Sequence, residues 1–182
     1  MSVQRRSAVV LVLGATVLVL VGATLVYHAG RTTLRSTPLA SFTERFVKVD
    51  LGLECGASGK ASLAAHFTPT RPGFHLYAKE LPRDGISGIG RPTLLELLPS
   101  EAVRSAGPLA ADRQTTLLTS EVLGLAFPIY PAGPVTLRQP VRLSSRGATT
   151  AELSVTYMAC STSTCLPPAI DRRVRVSLAG CS

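Results

Sequence analysis

Cys160 and Cys165 lie in the segment Val155-Thr156-Tyr157-Met158-Ala159-Cys160-Ser161-Thr162-Ser163-Thr164-Cys165-Leu166-Pro167-Pro168, separated by four small polar residues. Two thiols at this spacing can close and reopen as a disulfide, and the S–S bond itself stores the electrons, so no bound cofactor is required. Zinc is the weaker reading, because it takes about four Cys or His ligands and no second close pair completes the set. Cys160 closes one run of alternating apolar and polar residues, and Cys165 opens the approach to the next. A hairpin with a loop of that length puts facing Cα atoms about 4.5 to 5.5 Å apart, inside the disulfide range of roughly 4.4 to 6.8 Å. A bond across neighbouring strands takes its geometry from the sheet, and we expect it to be reduced more readily than a structural disulfide. Pro167 and Pro168 remove two backbone donors, which predicts a sheet-edge position accessible to another protein. Spacing alone leaves a structural hairpin disulfide open as the alternative.

Strands must position this pair. Residues 46–53 come close to the apolar and polar alternation of a half-buried strand. Similar runs recur at 61–68, 73–79, 93–98, 115–122, 135–143, 151–159 and 172–178, with Pro and Gly punctuating the chain between them. No amphipathic helix of four turns fits. The prediction is all-β: an immunoglobulin-like antiparallel β-sandwich, preceded by one N-terminal transmembrane helix. With 182 residues, 46% of them hydrophobic and 16% charged, the chain holds one domain plus an appendage, and disorder is excluded. The net charge of +8 is scattered, without a block of five basic residues, and aromatics are only 5%. That pattern reads as a solvated surface and gives no nucleic-acid partner.

The appendage is residues 8–27, which carry no charge after Arg5 and Arg6. At about 1.5 Å per residue such a helix spans roughly 30 Å, the thickness of a bilayer core. A cleaved signal peptide has a shorter apolar region and a small-x-small site, so an anchor or uncleaved signal is preferred. The predicted organisation is a cytoplasmic stub at 1–7, the anchor at 8–27, a Thr, Ser, Arg and Pro-rich tether at 28–43, and the domain at 44–182. The expected location is the cell inner membrane, single-pass, with the C-terminal domain in the periplasm or extracytoplasmic space. Cys55 lies too far past the apolar run for a lipid-attachment cysteine.

In such a compartment Cys55 and Cys181 are candidates for a structural disulfide closing a long loop. Contact between them is not decided by the sequence, and Cys181 is beside the terminus. His66 and His75, in strand-like runs, and His28, beside the apolar segment, read as structural histidines with satisfied hydrogen bonds. Residues 84–90 lack the Lys and following helix of a phosphate loop and read as a long hairpin connection. No hydrolase signature is present.

Tyr157-Met158-Ala159-Cys160, the four-residue gap and Cys165-Leu166-Pro167-Pro168 resemble the signature of the N-terminal periplasmic domain of the thiol:disulfide interchange protein DsbD. Gly73-Phe74-His75-Leu76-Tyr77 and then Gly90-Arg91-Pro92-Thr93 are similar to that family's other recurring segments, in the same order, so the resemblance covers most of residues 45–179. It implies an immunoglobulin-like fold whose pair, Cys160 and Cys165, acts as a thiol-disulfide oxidoreductase component, with Cys165 forming the mixed disulfide. The implied partners are a membrane thiol reductase and exported thioredoxin-like or disulfide isomerase proteins. In that family a loop with adjacent aromatics caps the pair, and the corresponding residues here are Glu121, Val122 and Leu123, with Val122 and Leu123 in place of the aromatics. Tyr77 either lines the pocket near the pair, as the family's tyrosine does, or is core. Well-known members continue into a multi-span membrane domain and a thioredoxin-like domain, so a separate electron donor is expected here. Two alternatives stand beside this reading: a non-catalytic binding module with a structural disulfide, and an accessory to cytochrome c biogenesis or metal-site assembly.

Overall fold

The computed structural model describes residues 35–56, 60–144, 148–179 and 181. The predicted stub and anchor, and residues 28–34 of the predicted tether, lie outside the described residues. Among the described residues no helix is long and apolar enough to cross a membrane.

The strands are β1 (Arg35–Glu44), β2 (Val47–Cys55), β3 (Ala61–Pro69), β4 (His75–Leu76), β5 (Leu94–Leu97), β6 (Val103–Ser105), β7 (Ala110–Ala111), β8 (Thr116–Ser120), β9 (Leu125–Ile129), β10 (Val135–Leu143), β11 (Thr149–Tyr157), β12 (Ala159–Cys160) and β13 (Ala169–Leu178). One sheet runs β1-β2-β3-β10-β6, with β7 also on β10; a second runs β13-β11-β5, and β12-β4 and β8-β9 form two small ribbons. All strand pairs are antiparallel.

Period-two patterning builds the layers. In β2, Val47, Val49, Leu51 and Leu53 are buried, while Lys48 points to solvent between them. In β11, Leu153, Val155 and Tyr157 face the same core from the opposite sheet. Phe67 of β3 meets Tyr157 edge to face, ring centroids 5.7 Å apart, so the two large sheets touch through their aromatic centres. One apolar cluster includes Leu51, Leu63 and Leu137 from the first sheet and Leu95, Leu153 and Val176 from the second, which makes the domain an all-β sandwich.

The domain begins earlier than the composition indicated. Residues 35–43, read from sequence as tether, belong to β1, an edge strand paired along β2. Its register shifts between Pro38 and Ala40, where proline, which has no N–H to donate, is tolerated at an edge. Leu39, Ala40 and Phe42 pack against the core while the polar residues face out, so one buried face sufficed without a hydrophobic composition. At the end of β1, the Glu44 carbonyl accepts from the Tyr157 hydroxyl at 3.0 Å and its carboxylate accepts from Arg172 at 2.7 Å. Arg172 also lies 4.2 Å over the Phe42 ring, so β1 is closed against β13.

Candidate functional site: the Cys160–Cys165 pair

β11 ends at Tyr157, the chain twists away, and Ala159 and Cys160 pair instead with Leu76 and His75. Ala159 and Leu76 stay in the main core, so the opposite face of this ribbon carries Cys160 and His75. Cys160 and Cys165 face each other as an isolated antiparallel bridge, and the turn between them is closed by the Ser161 N–H donating to the Thr164 carbonyl at 2.8 Å. The two cysteines are disulfide-bonded with Cα atoms 4.1 Å apart, closer than the hairpin estimate. The second arm of the expected hairpin is only this bridge and the Leu166 N–H bond to the Ala159 carbonyl; β13 starts at Ala169, beyond Pro167 and Pro168.

The two sulfurs have unlike surroundings. Cys160 is 1% exposed and belongs to a small apolar cluster with Tyr77, Leu81, Phe127 and Ile129, against which Leu118, Leu125 and Met158 pack. Cys165 is exposed. Tyr77 is core in the cluster around Cys160: it is 3% exposed, and its hydroxyl lies 3.5 Å from Cys160 Sγ, placed to donate to the sulfur. Burial pushes the Tyr77 phenol above its ordinary value, which keeps it protonated and able to donate.

The segment 90–93 fixes Tyr77. Thr93 donates its hydroxyl to the Tyr77 carbonyl at 2.7 Å. Gly90 has φ of 83°, and a Cβ there would sit 3.0 Å from the Tyr77 ring and from Leu81. Gly90→Ala combines a left-handed backbone with that overlap and is expected to destabilise the domain by about 2 kcal/mol. A lowered urea midpoint at unchanged m would show it; an unchanged midpoint would contradict this packing.

Glu121, Val122 and Leu123 occupy the exposed turn between β8 and β9, with Val122 96% exposed, and none of the three belongs to the apolar cluster around Cys160. The same hairpin covers Cys160 from its stem, through Leu118, Leu125 and Phe127, and the Phe127 ring meets Tyr77 edge to face at 5.8 Å. Phe127 is outside the sequence expectations, and its sequence signal is the apolar alternation of Leu125, Phe127 and Ile129 in β9.

Cys55 and Cys181 form the second disulfide, with Cα atoms 5.5 Å apart. His66 is satisfied on one nitrogen, Nδ1 lying 2.9 Å from Thr136 Oγ1. His75 departs from the expectation of a satisfied histidine: it is 6% exposed and its Nε2 has no hydrogen-bond partner. In the register it lies opposite Cys160, whose bonded sulfur has no proton to give. Among the described residues no group of three or more His, Cys, Asp or Glu side chains is arranged to hold a metal ion.

No family model matches the chain, and no curated protein matches it. Among solved structures it is similar to the N-terminal periplasmic domain of ScsB from Proteus mirabilis, at 10% sequence identity and a TM-score of 0.48. The match covers 79% of this chain and about half, 51%, of that one.

Proposed function

We propose that this chain is an exported, membrane-tethered thiol-disulfide exchange domain of immunoglobulin-like type, passing electrons between a membrane thiol reductase and exported thioredoxin-like or disulfide isomerase proteins. In this reading it is anchored once in the inner membrane, with the sandwich in the periplasm. The observation that carries the reading is the unequal burial of one bonded pair, with Cys165 exposed and Cys160 sealed beneath Tyr77 and Phe127. A partner thiolate has access to Cys165, the S–S bond breaks, and the departing electron pair stays on Cys160, to whose sulfur the Tyr77 hydroxyl is placed to donate a hydrogen bond. The mixed disulfide then resolves when the partner's second thiol attacks its own bonded sulfur. The partner leaves as a disulfide and this pair is left as two thiols.

The test is to equilibrate the detergent-solubilised full chain with glutathione and stronger dithiol buffers and to count the thiols released. The Cys160–Cys165 bond is expected to open above about −300 mV while Cys55–Cys181 stays closed; a pair still oxidised below that potential is structural. Cys160→Ser with Cys165 retained is expected to hold a thioredoxin-like partner as a mixed disulfide that dithiothreitol releases. Absence of any such adduct, with Cys165 still reactive to small reagents, would leave a binding module with a staple.

A further inference from the structure

His75 is the one buried side chain among the described residues with an unpartnered polar atom. It is directly opposite Cys160 in the β4–β12 register, so the two side chains leave the same face of the ribbon, where facing Cβ atoms are about 4.5 to 5.5 Å apart. Its ring meets that of Tyr77 edge to face at 6.1 Å, and Tyr77 touches Cys160 Sγ. A buried polar atom without a partner costs about 1 to 3 kcal/mol, which the oxidised fold carries with no visible return.

We propose that His75 Nε2 is held in reserve as the hydrogen-bond partner of the Cys160 sulfur once the disulfide opens, so that the reduced state satisfies an atom that the oxidised state leaves orphaned. The inference deepens the exchange reading above and rests on it. In the oxidised state Cys160 Sγ has no proton to offer. When a partner thiolate bonds to Cys165, the S–S electron pair moves to Cys160, and the proton lost by the partner's second thiol balances that charge. Cys160 is then a thiol whose S–H can donate to Nε2, or a thiolate that can accept from an Nε2–H. Burial holds the imidazole below the ordinary histidine range, so it is neutral and able to play either role without adding charge to the apolar cluster.

His75→Phe keeps the ring volume and removes the polar atom; His75→Gln keeps a polar end. Against a dithiol buffer, His75→Phe is expected to shift the Cys160–Cys165 equilibrium about tenfold toward the disulfide, about 30 mV. His75→Gln should recover most of that shift, and Cys55–Cys181 should be unaffected. Oxidised His75→Phe should unfold no more easily than the parent. The parent chain supplies a second measurement that needs no substitution: the imidazole Nε2 nitrogen resonance of His75 should move on reduction of the pair. An unmoved resonance, or equal constants for the parent and His75→Phe, overturns the proposal. A parent pair that resists opening throughout the buffer range overturns the exchange reading instead.

Discussion

In Cys160→Ser the remaining thiol, Cys165, is expected to react with a small aromatic disulfide as an exposed cysteine does, whereas in Cys165→Ser the remaining Cys160 should react about a hundredfold more slowly. The difference follows from access. Cys165 is exposed, while Cys160 is 1% exposed under Tyr77, Phe127 and Ile129. A reagent reaches Cys160 only after the β8–β9 stem lifts or the β4–β12 ribbon opens. A local opening of about 3 kcal/mol slows the reaction by about two orders of magnitude. The same variants should divide exchange with a protein dithiol: Cys165→Ser loses it completely, and Cys160→Ser stops at the mixed disulfide. Equal modification rates in the two variants would remove the asymmetry on which the proposed direction of attack depends.

That asymmetry was only half legible in the sequence. Spacing and the small residues between Cys160 and Cys165 announced a bondable pair, and Pro167 and Pro168 announced a place where regular pairing stops. Which sulfur is buried depends on β12 joining β4 across 85 positions of chain, and no local pattern encodes that register. The orphaned nitrogen of His75 was hidden for the same reason. The exposure of the turn at Val122 and Leu123 is not written locally, because a turn tip and a cap have the same local signals of short length and flanking strands. Only packing shows that the stem residues Leu118, Leu125 and Phe127 cover Cys160.

For the fold, strands with one wholly buried face were the readable ones. Residues 135–143 match β10 end for end, and β2, β3 and β11 fall within a few residues of their predicted runs, because alternation there reports burial directly. The segment 73–79 shrinks to the two residues of β4, since the chain bends from pairing with β12 to a bridge between Tyr77 and Ile129. β1 resembles a tether in sequence because its Arg, Ser, Thr and Pro content describes the outward side of an edge strand, and Leu39 and Phe42 alone are too sparse to announce the inward one.

Replacing Cys55 and Cys181 together by Ser is expected to cost the domain about 5 kcal/mol, against about 2 kcal/mol for replacing Cys160 and Cys165 together. The chain-entropy model gives this difference from sequence separations of 126 and 5 alone, because the longer cross-link removes far more freedom from the unfolded chain. The positions of the bonds agree with it. Cys55 ends β2 and Cys181 follows β13, so this bond joins the two sheets at one end, while the Glu44 contacts to Tyr157 and Arg172 join them at the other. Cys160–Cys165 bridges only a tight turn. With a typical stability margin of about 5 to 15 kcal/mol, a loss of about 2 leaves a folded domain and a loss of about 5 reaches the lower edge of that range. Urea unfolding of the two double variants measures both costs, and a larger loss from the Cys160–Cys165 change would contradict the assignment of roles. Under the proposed exchange reading the domain must stay folded with Cys160–Cys165 open, and the long-range bond then supplies the larger share of the cross-link stability.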